Sequence, residues 1–239
     1  MTLNIWGGHI YEPLLQFIKA HQEIDIFCLQ EVYHNASHKI STDNRKVYLT
    51  IFSDLHSMLP KHNAFFRATV KDMYGIGIFA KKTLDVLGEG EILIHDNLEY
   101  SGFGPTHSRN LQWLKYKHEK QIYFIFNVHG LWNGKGKTDS IERISQSQKI
   151  RNFIHTTNSR KILCGDFNVR PDTKSMEILE QGMNNLIKDY KVSATRTSLY
   201  EKEERFADYV LVTPNIIINN FEVLKDEVSD HSPLLLDFS

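Results

Sequence analysis

Lys161–Val169 reads KILCGDFNV: a short apolar run, Ile162-Leu163-Cys164, that stops at Gly165 and is followed by Asp166, Phe167 and Asn168. A run of this length bounded by a turn residue reads as a buried strand, with the polar residues in the loop at its end. Such a strand carries a carboxylate and a carboxamide to the edge of a sheet. The bland alternative is an Asx-type turn in which Asp166 and Asn168 bond only their own backbone.

The same pattern recurs on both sides. Asn4 lies in LNIW, Glu31 ends IDIFCLQE, His129 ends YFIFNVHG, Asp208 lies in FADYVLV, and Asp230 with His231 lies in VSDHSPL. Leu111–Gly130 alternates apolar and polar residues on both sides of a polar KHEK tip, the pattern of an antiparallel hairpin. Met73–Lys82 reads as a glycine-bearing strand, and strand-like runs fill the last third. Helices are expected from Pro13 on, with Leu14, Phe17, Ile18 and His21 on one face, and within Tyr48–Leu59 and Thr173–Gly182. A further helix is expected through about His155, opened by a capping box of Asp139 and Glu142. Strands outnumber helices and hairpins mix with crossovers. This predicts one α/β domain over residues 1–239, a sandwich with mixed or antiparallel sheets rather than a doubly wound parallel sheet.

The chain of 239 residues is 41% hydrophobic, enough for one substantial core, and its net charge of −1 gives no global field that would favour nucleic acid. No apolar run approaches the roughly 18 residues of a membrane span, and MTLNIWGGHI lacks the features of a signal peptide. Cys28 and Cys164 sit in apolar runs, which reads as buried reduced thiols and a cytoplasmic protein. Gly134–Thr138, GKGKT, imitates the end of a phosphate-binding P-loop. The pattern G-x-x-x-x-G-K-[ST] requires glycine at 131, which is Leu131, so the loop length is wrong and the lysines read as a mobile basic rim. His34 and His38 have the spacing of a helical metal pair, but with no third ligand nearby a solvated surface is the simpler reading.

Groups at the ends of strands in one sandwich converge along one edge. Glu31 and Asp230 would supply hard oxygens for Mg²⁺, and Asp166 would orient or deprotonate water. Asn4, Asn168 and the histidines would donate to phosphoryl oxygens, and Asp208 would hold His231 in one tautomer. Each residue alone has a structural alternative: a strand-end polar side chain, a core histidine, or an Asp208–Arg205 pair.

Six tags in order, LNIWGG, LQEV, NVHG, GDFNVRP, FADYVLV and SDHSPL, span nearly the whole chain. Together they resemble the signature of the endonuclease/exonuclease/phosphatase superfamily, whose fold is that of the pancreatic-type deoxyribonucleases. The resemblance implies a four-layer αββα sandwich of two mixed β-sheets flanked by helices, and a Mg²⁺- or Mn²⁺-dependent hydrolase of phosphate esters. It implies Glu31 as the main metal ligand, Asp230 beside the metal or phosphate, Asp166 and Asn168 at the attacked phosphorus, and Asp208–His231 as a carboxylate–imidazole pair. A histidine at 129 and Trp6, where abasic-site endonucleases usually carry aspartate, point to the His-containing phosphodiesterase branch. Arg143, Arg196 and Trp132 are the candidate substrate-binding residues. The expected protein is a monomer acting on a phosphate ester such as a nucleic acid. The alternatives are a phosphomonoesterase, a sphingomyelinase-like lipid phosphodiesterase, and a binding module that keeps the fold without catalysis.

Overall fold

The computed structural model describes residues 1–36, 47–100, 102 and 105–239, so His38 lies outside the described residues. Two six-stranded mixed sheets pack face to face. The first runs β11-β12-β1-β2-β4-β3 and is built from β1 (Thr2–Asn4), β2 (Ile26–Tyr33), β3 (His62–Val70), β4 (Tyr74–Lys81), β11 (Ile218–Val223) and β12 (Leu234–Phe238). The second runs β5-β6-β7-β8-β10-β9 and is built from β5 (Asp85–His95), β6 (Arg109–His118), β7 (Gln121–His129), β8 (Arg160–Asp166), β9 (Asn184–Asn185) and β10 (Asp208–Val212). Each sheet has one parallel pair among these strands, β1 with β2 and β7 with β8. These pairs are joined by crossovers through the helices α1 (Tyr11–Ala20) and α3 (Ile141–Ile154). α2 (Ile51–Met58), α4 (Lys174–Leu179) and α5 (Leu186–Asp189) complete the outer layers, giving the expected αββα sandwich.

β2 shows why its sequence is apolar without alternation. Phe27 and Leu29 join the cluster that Leu14, Phe17 and Ile18 of α1 form with Ile51 and Leu55 of α2. Cys28 points the other way, into the core shared with β7 and β8. A strand buried on both faces needs apolar residues at successive positions. Below the edge where the strands end, this inter-sheet core carries a polar belt. The Gln30 amide donates to Asn127 Oδ1 (2.7 Å), and Asn127 Nδ2 donates to the carbonyls of Leu29 and Gly77 (both 3.2 Å) and to Gln112 Oε1 (3.4 Å). All three side chains are fully buried.

The β6–β7 hairpin pairs Leu111 with Val128 through His118 with Gln121, as its alternation predicts. Strands β3 and β5 are additions to the sequence reading. β5 is interrupted by Gly88 and Gly90, whose missing side chains leave room for Trp113 of β6; a Cβ on Gly90 would lie 2.7 Å from that indole. The α3 cap differs from expectation. Ser140 is the N-cap and accepts from the Arg143 amide (3.3 Å), whereas Asp139 reaches across to accept from the amides of Lys174 and Ser175 at the start of α4 (2.7 and 2.9 Å). A carboxylate satisfies either helix N-terminus equally well, and the tertiary fold brings α4 within its reach.

Candidate active site

The two crossover units deliver their strand-end residues to one point. Asn4, from β1, donates from Nδ2 to Glu31 Oε1 (3.0 Å) and to Asp166 Oδ2 (3.1 Å), linking a carboxylate of each sheet. Its own Oδ1 accepts from the Trp6 amide (3.0 Å), which fixes the carboxamide orientation. Glu31 sits in β2 where the pairing with β4 slips between Leu29 and Val32, and its φ is 58°. A glutamate in the left-handed region is strained, and the slip redirects its side chain toward the site. On the other sheet His129 and Asp166 lie side by side in register, with His129 Nε2 3.7 Å from Asp166 Oδ2 and 3.9 Å from Glu31 Oε1. The β7–β8 approach depends on Gly130, where a Cβ would meet the Phe167 carbonyl oxygen at 2.2 Å.

β10 brings the third component. Asp208 pairs in register with Asp166, and both its carboxylate oxygens face His231 Nδ1 (2.9 and 2.8 Å). That bond holds the Nδ1 proton and turns Nε2 toward Asp166 Oδ2, 3.6 Å away. Thr195 aligns the pair: its hydroxyl accepts from the amides of Ala207 and Asp208, and its carbonyl accepts from Ser232 N.

Electrostatics separate the two histidines. Burial opposes charge on both. At His129 the nearby Arg109 reinforces burial, so its pKa is pushed well below the ordinary imidazole value and the ring is neutral. At His231 burial is overcome by Asp208 and Asp166, and the pKa is raised. Asp166 loses stabilisation of its charge through burial, but His231 and Lys137 outweigh this and hold it ionised, below the usual carboxylate range. Burial raises Glu31, only partly countered by the bond from Asn4. An ionised carboxylate between a neutral and a protonation-prone imidazole is an arrangement suited to moving a proton.

A family model described as the Endonuclease/Exonuclease/phosphatase family matches residues 1–231. The chain belongs to that family. Its chemistry is phosphoester hydrolysis. No curated protein sequence matches the chain. Solved structures do: the mannosyl-6-phosphatase of Bacteroides thetaiotaomicron VPI-5482 is 20% identical, with TM-score 0.72 over 98% of this chain and 91% of that one. D. rerio TDP2, complexed with single-strand DNA product, is 16% identical, with TM-score 0.72 over 100% of this chain and 97% of its own. A functionally unknown conserved protein of Enterococcus faecalis V583 is 17% identical, with TM-score 0.76 over 100% and 98%. At these identities the likeness concerns the fold.

In this member of the endonuclease/exonuclease/phosphatase family, Asn4, Glu31, His129, Asp166, Asp208 and His231 therefore meet in one place. Asn168 meets them as well: at φ 53°, its amide N–H donates to Asp166 Oδ1 (2.9 Å) and its side chain to the Gly130 carbonyl (3.2 Å). The donors of Asn168 thus brace Asp166 and the end of β7. Asp230 Oδ2 accepts from Arg196 Nη1 (2.7 Å), so the carboxylate expected as a second metal ligand is already ion-paired. Arg143 is fully buried and its guanidinium donates to the carbonyls of Leu131, Thr138 and Gly136, which makes it the organiser of the 131–138 loop. Trp132 is half-buried on that loop with the Lys202 ammonium 5.5 Å from its ring.

The residues present fit a divalent cation. Glu31 is the open carboxylate of the centre, its side chain 28% exposed, and it offers hard oxygen. Asp166, Asp208 and His231 also cluster, with ligand atoms within 4.8 Å of one another. Both Asp208 oxygens face the His231 N–H, however, so that cluster is a hydrogen-bonded pair beside an acid rather than an open coordination site.

Two further basic residues are buried beside the site. Arg109 lies at the start of β6, with Nε and Nη1 lacking hydrogen-bond partners among the described residues, and its charge acts on Asp166 and Glu31. Lys137, read as part of a mobile rim, is likewise buried. Nothing in their local sequence distinguishes them from surface basic residues, because burial of a long side chain is decided by neighbours distant in the chain.

Proposed function

We propose that the protein is a Mg²⁺- or Mn²⁺-dependent phosphodiesterase of nuclease type, a monomer acting in the cytoplasm. The free, buried thiols of Cys28 and Cys164 suit a reducing compartment. One observation carries the catalytic reading: the Asp166 carboxylate, 2% exposed, is bonded by Asn4 and the Asn168 amide and lies within 3.7 Å of two histidine nitrogens. A cation held by Glu31 and water would supply Lewis-acid polarisation of a phosphoryl oxygen. Asp166 orients the attacking water and accepts its proton. His231, charged through Asp208, donates from Nε2 to the oxygen where negative charge grows, and neutral His129 contributes a donor from the opposite side. D. rerio TDP2 with its single-strand DNA product supports a diester substrate through shared fold.

The test is a screen with Mg²⁺ or Mn²⁺ over single-stranded DNA, RNA, a tyrosyl phosphodiester, inositol phosphates and sphingomyelin. Turnover of a diester is expected, abolished by excess EDTA and restored by added metal. Full activity in EDTA overturns the metal dependence. Turnover confined to monoesters overturns the diester assignment, and no turnover of any substrate favours a binding module.

A further inference from the structure

The GKGKT segment resembled a phosphate loop and failed on spacing. The structure gives its second lysine a different role. Lys137 is 2% exposed, and its ammonium has no hydrogen-bond partner among the described residues. A buried donor without an acceptor is costly, and a charged one more so. The backbone leaves it little freedom to escape. Its carbonyl accepts from the Arg170 amide (2.9 Å), and the carbonyls of Gly136 and Thr138 on either side accept from Arg143. The side chain is thus held inside the site.

Its surroundings are cationic as well as acidic. Lys137 Nζ lies 6.0 Å from the centre of the Tyr200 ring, and the Arg196 guanidinium stacks on the same ring at 3.9 Å. Arg196 is ion-paired through Nη1 to Asp230, while its Nε is buried without a hydrogen-bond partner among the described residues. Tyr200 therefore carries two cations served by one ion-paired carboxylate. The charges that act on Lys137 are Asp166, Arg196, Asp208 and Glu204. Asp208 is engaged by His231, and Asp166 is bonded by Asn4 and the Asn168 amide. Burial lowers the lysine to about 8, which leaves it charged at neutral pH.

We propose that Lys137, with Arg196 beside it on Tyr200, forms a cationic wall that binds non-bridging phosphoryl oxygens of the substrate. The proposal rests on the phosphoester-hydrolase reading of the same site and names a substrate-positioning residue within it. The missing acceptor is the phosphate itself. A phosphate bearing two charges uses the wall more fully than one bearing a single charge, so the site should hold the dianionic product phosphate especially well.

The experiment compares wild type, Lys137→Met and Lys137→Arg. Steady-state kinetics on bis(p-nitrophenyl) phosphate are measured with competitive inhibition by inorganic phosphate, alongside thermal unfolding without phosphate. Lys137→Met should raise KM and the phosphate inhibition constant by about tenfold or more, consistent with loss of one charge-assisted bond. Its Tm should be equal to or above that of wild type, because a buried unpartnered charge has been removed. Lys137→Arg should recover most of the phosphate affinity. A folded Lys137→Met with unchanged KM and unchanged phosphate inhibition overturns the proposal. So does a fall in Tm with unchanged phosphate affinity, which would make the lysine structural. If wild type neither turns over the diester nor binds phosphate in a thermal-shift titration, the hydrolase reading itself fails. If wild type does both and Lys137→Met matches it in KM and phosphate inhibition, the hydrolase reading stands and the wall falls.

Discussion

The units β1–α1–β2 and β7–α3–β8 are the same device used twice: a parallel strand pair, a crossover helix, and a polar residue near the end of each strand. They differ in what they do with the acid. In the first sheet a slip in pairing and a positive φ leave Glu31 28% exposed, with only Oε1 hydrogen-bonded, by Asn4, among the described residues. In the second sheet Asp166 ends β8 without a slip, is 2% exposed, and has both oxygens engaged. The open acid is suited to a cation and the enclosed one to positioning water. Backbone geometry separates two carboxylates that composition alone would not distinguish.

This division of labour can be broken by experiment. Asp166→Asn should lower kcat by at least about a hundredfold at every metal concentration, as for loss of a general base. Glu31→Gln should instead weaken apparent metal affinity by at least about tenfold and regain part of its rate as metal is raised. Metal titrations of activity distinguish the two, and identical responses of both variants would abolish the contrast.

The link between the sheets is tested by Asn127→Leu. That change removes the Asn127 donor from the Leu29 and Gly77 carbonyls and its acceptor from the Gln30 amide, and should cost about 2–4 kcal/mol in urea unfolding. A loss below about 1 kcal/mol would mean that apolar packing alone holds the two units in place.

The second unit also has a basic flank, and this sets the smallest predicted effect. His107 is buried near Arg109 and its pKa is pushed down to about 3, burial being the larger cause. Below the ordinary imidazole value the unfolded chain binds a proton there that the folded chain refuses. The contribution is thus harmless above about pH 6.5 and destabilising as pH falls toward 3, by at most about 1.4 kcal/mol per pH unit. His107→Gln should flatten the stability profile between pH 6 and 4 by up to that slope. An unchanged profile in unfolding measurements would show that His107 is not kept neutral.

Much of the sandwich was legible because period and punctuation are local. The β6–β7 hairpin follows from alternation around KHEK, and the strand ends carrying Glu31, His129 and Asp166 follow from apolar runs that stop at polar residues. β5 was hidden because its glycines make sense only against Trp113 of another strand. The turn of Asp139 toward α4, the Arg196–Asp230 pair and the burial of Lys137 were hidden for the same reason. Each concerns a polar side chain whose partner, or lack of one, is set by residues far away in sequence. The family tags identified which residues gather at the site, but their spacing carries no information on which acid is open and which is enclosed.

The belt of Gln30, Asn127 and Gln112 makes the inner faces of the sandwich non-interchangeable. Apolar surfaces tolerate small sliding, because one methyl group replaces another at little cost. Amides do not, since their donors and acceptors are matched across the two sheets, and a shift of one strand residue would strand several at once. The belt therefore acts as a key that indexes one sheet to the other, and the rim above inherits that alignment. The relative placement of Glu31 and Asp166 is thus fixed from below, independently of the surface loops.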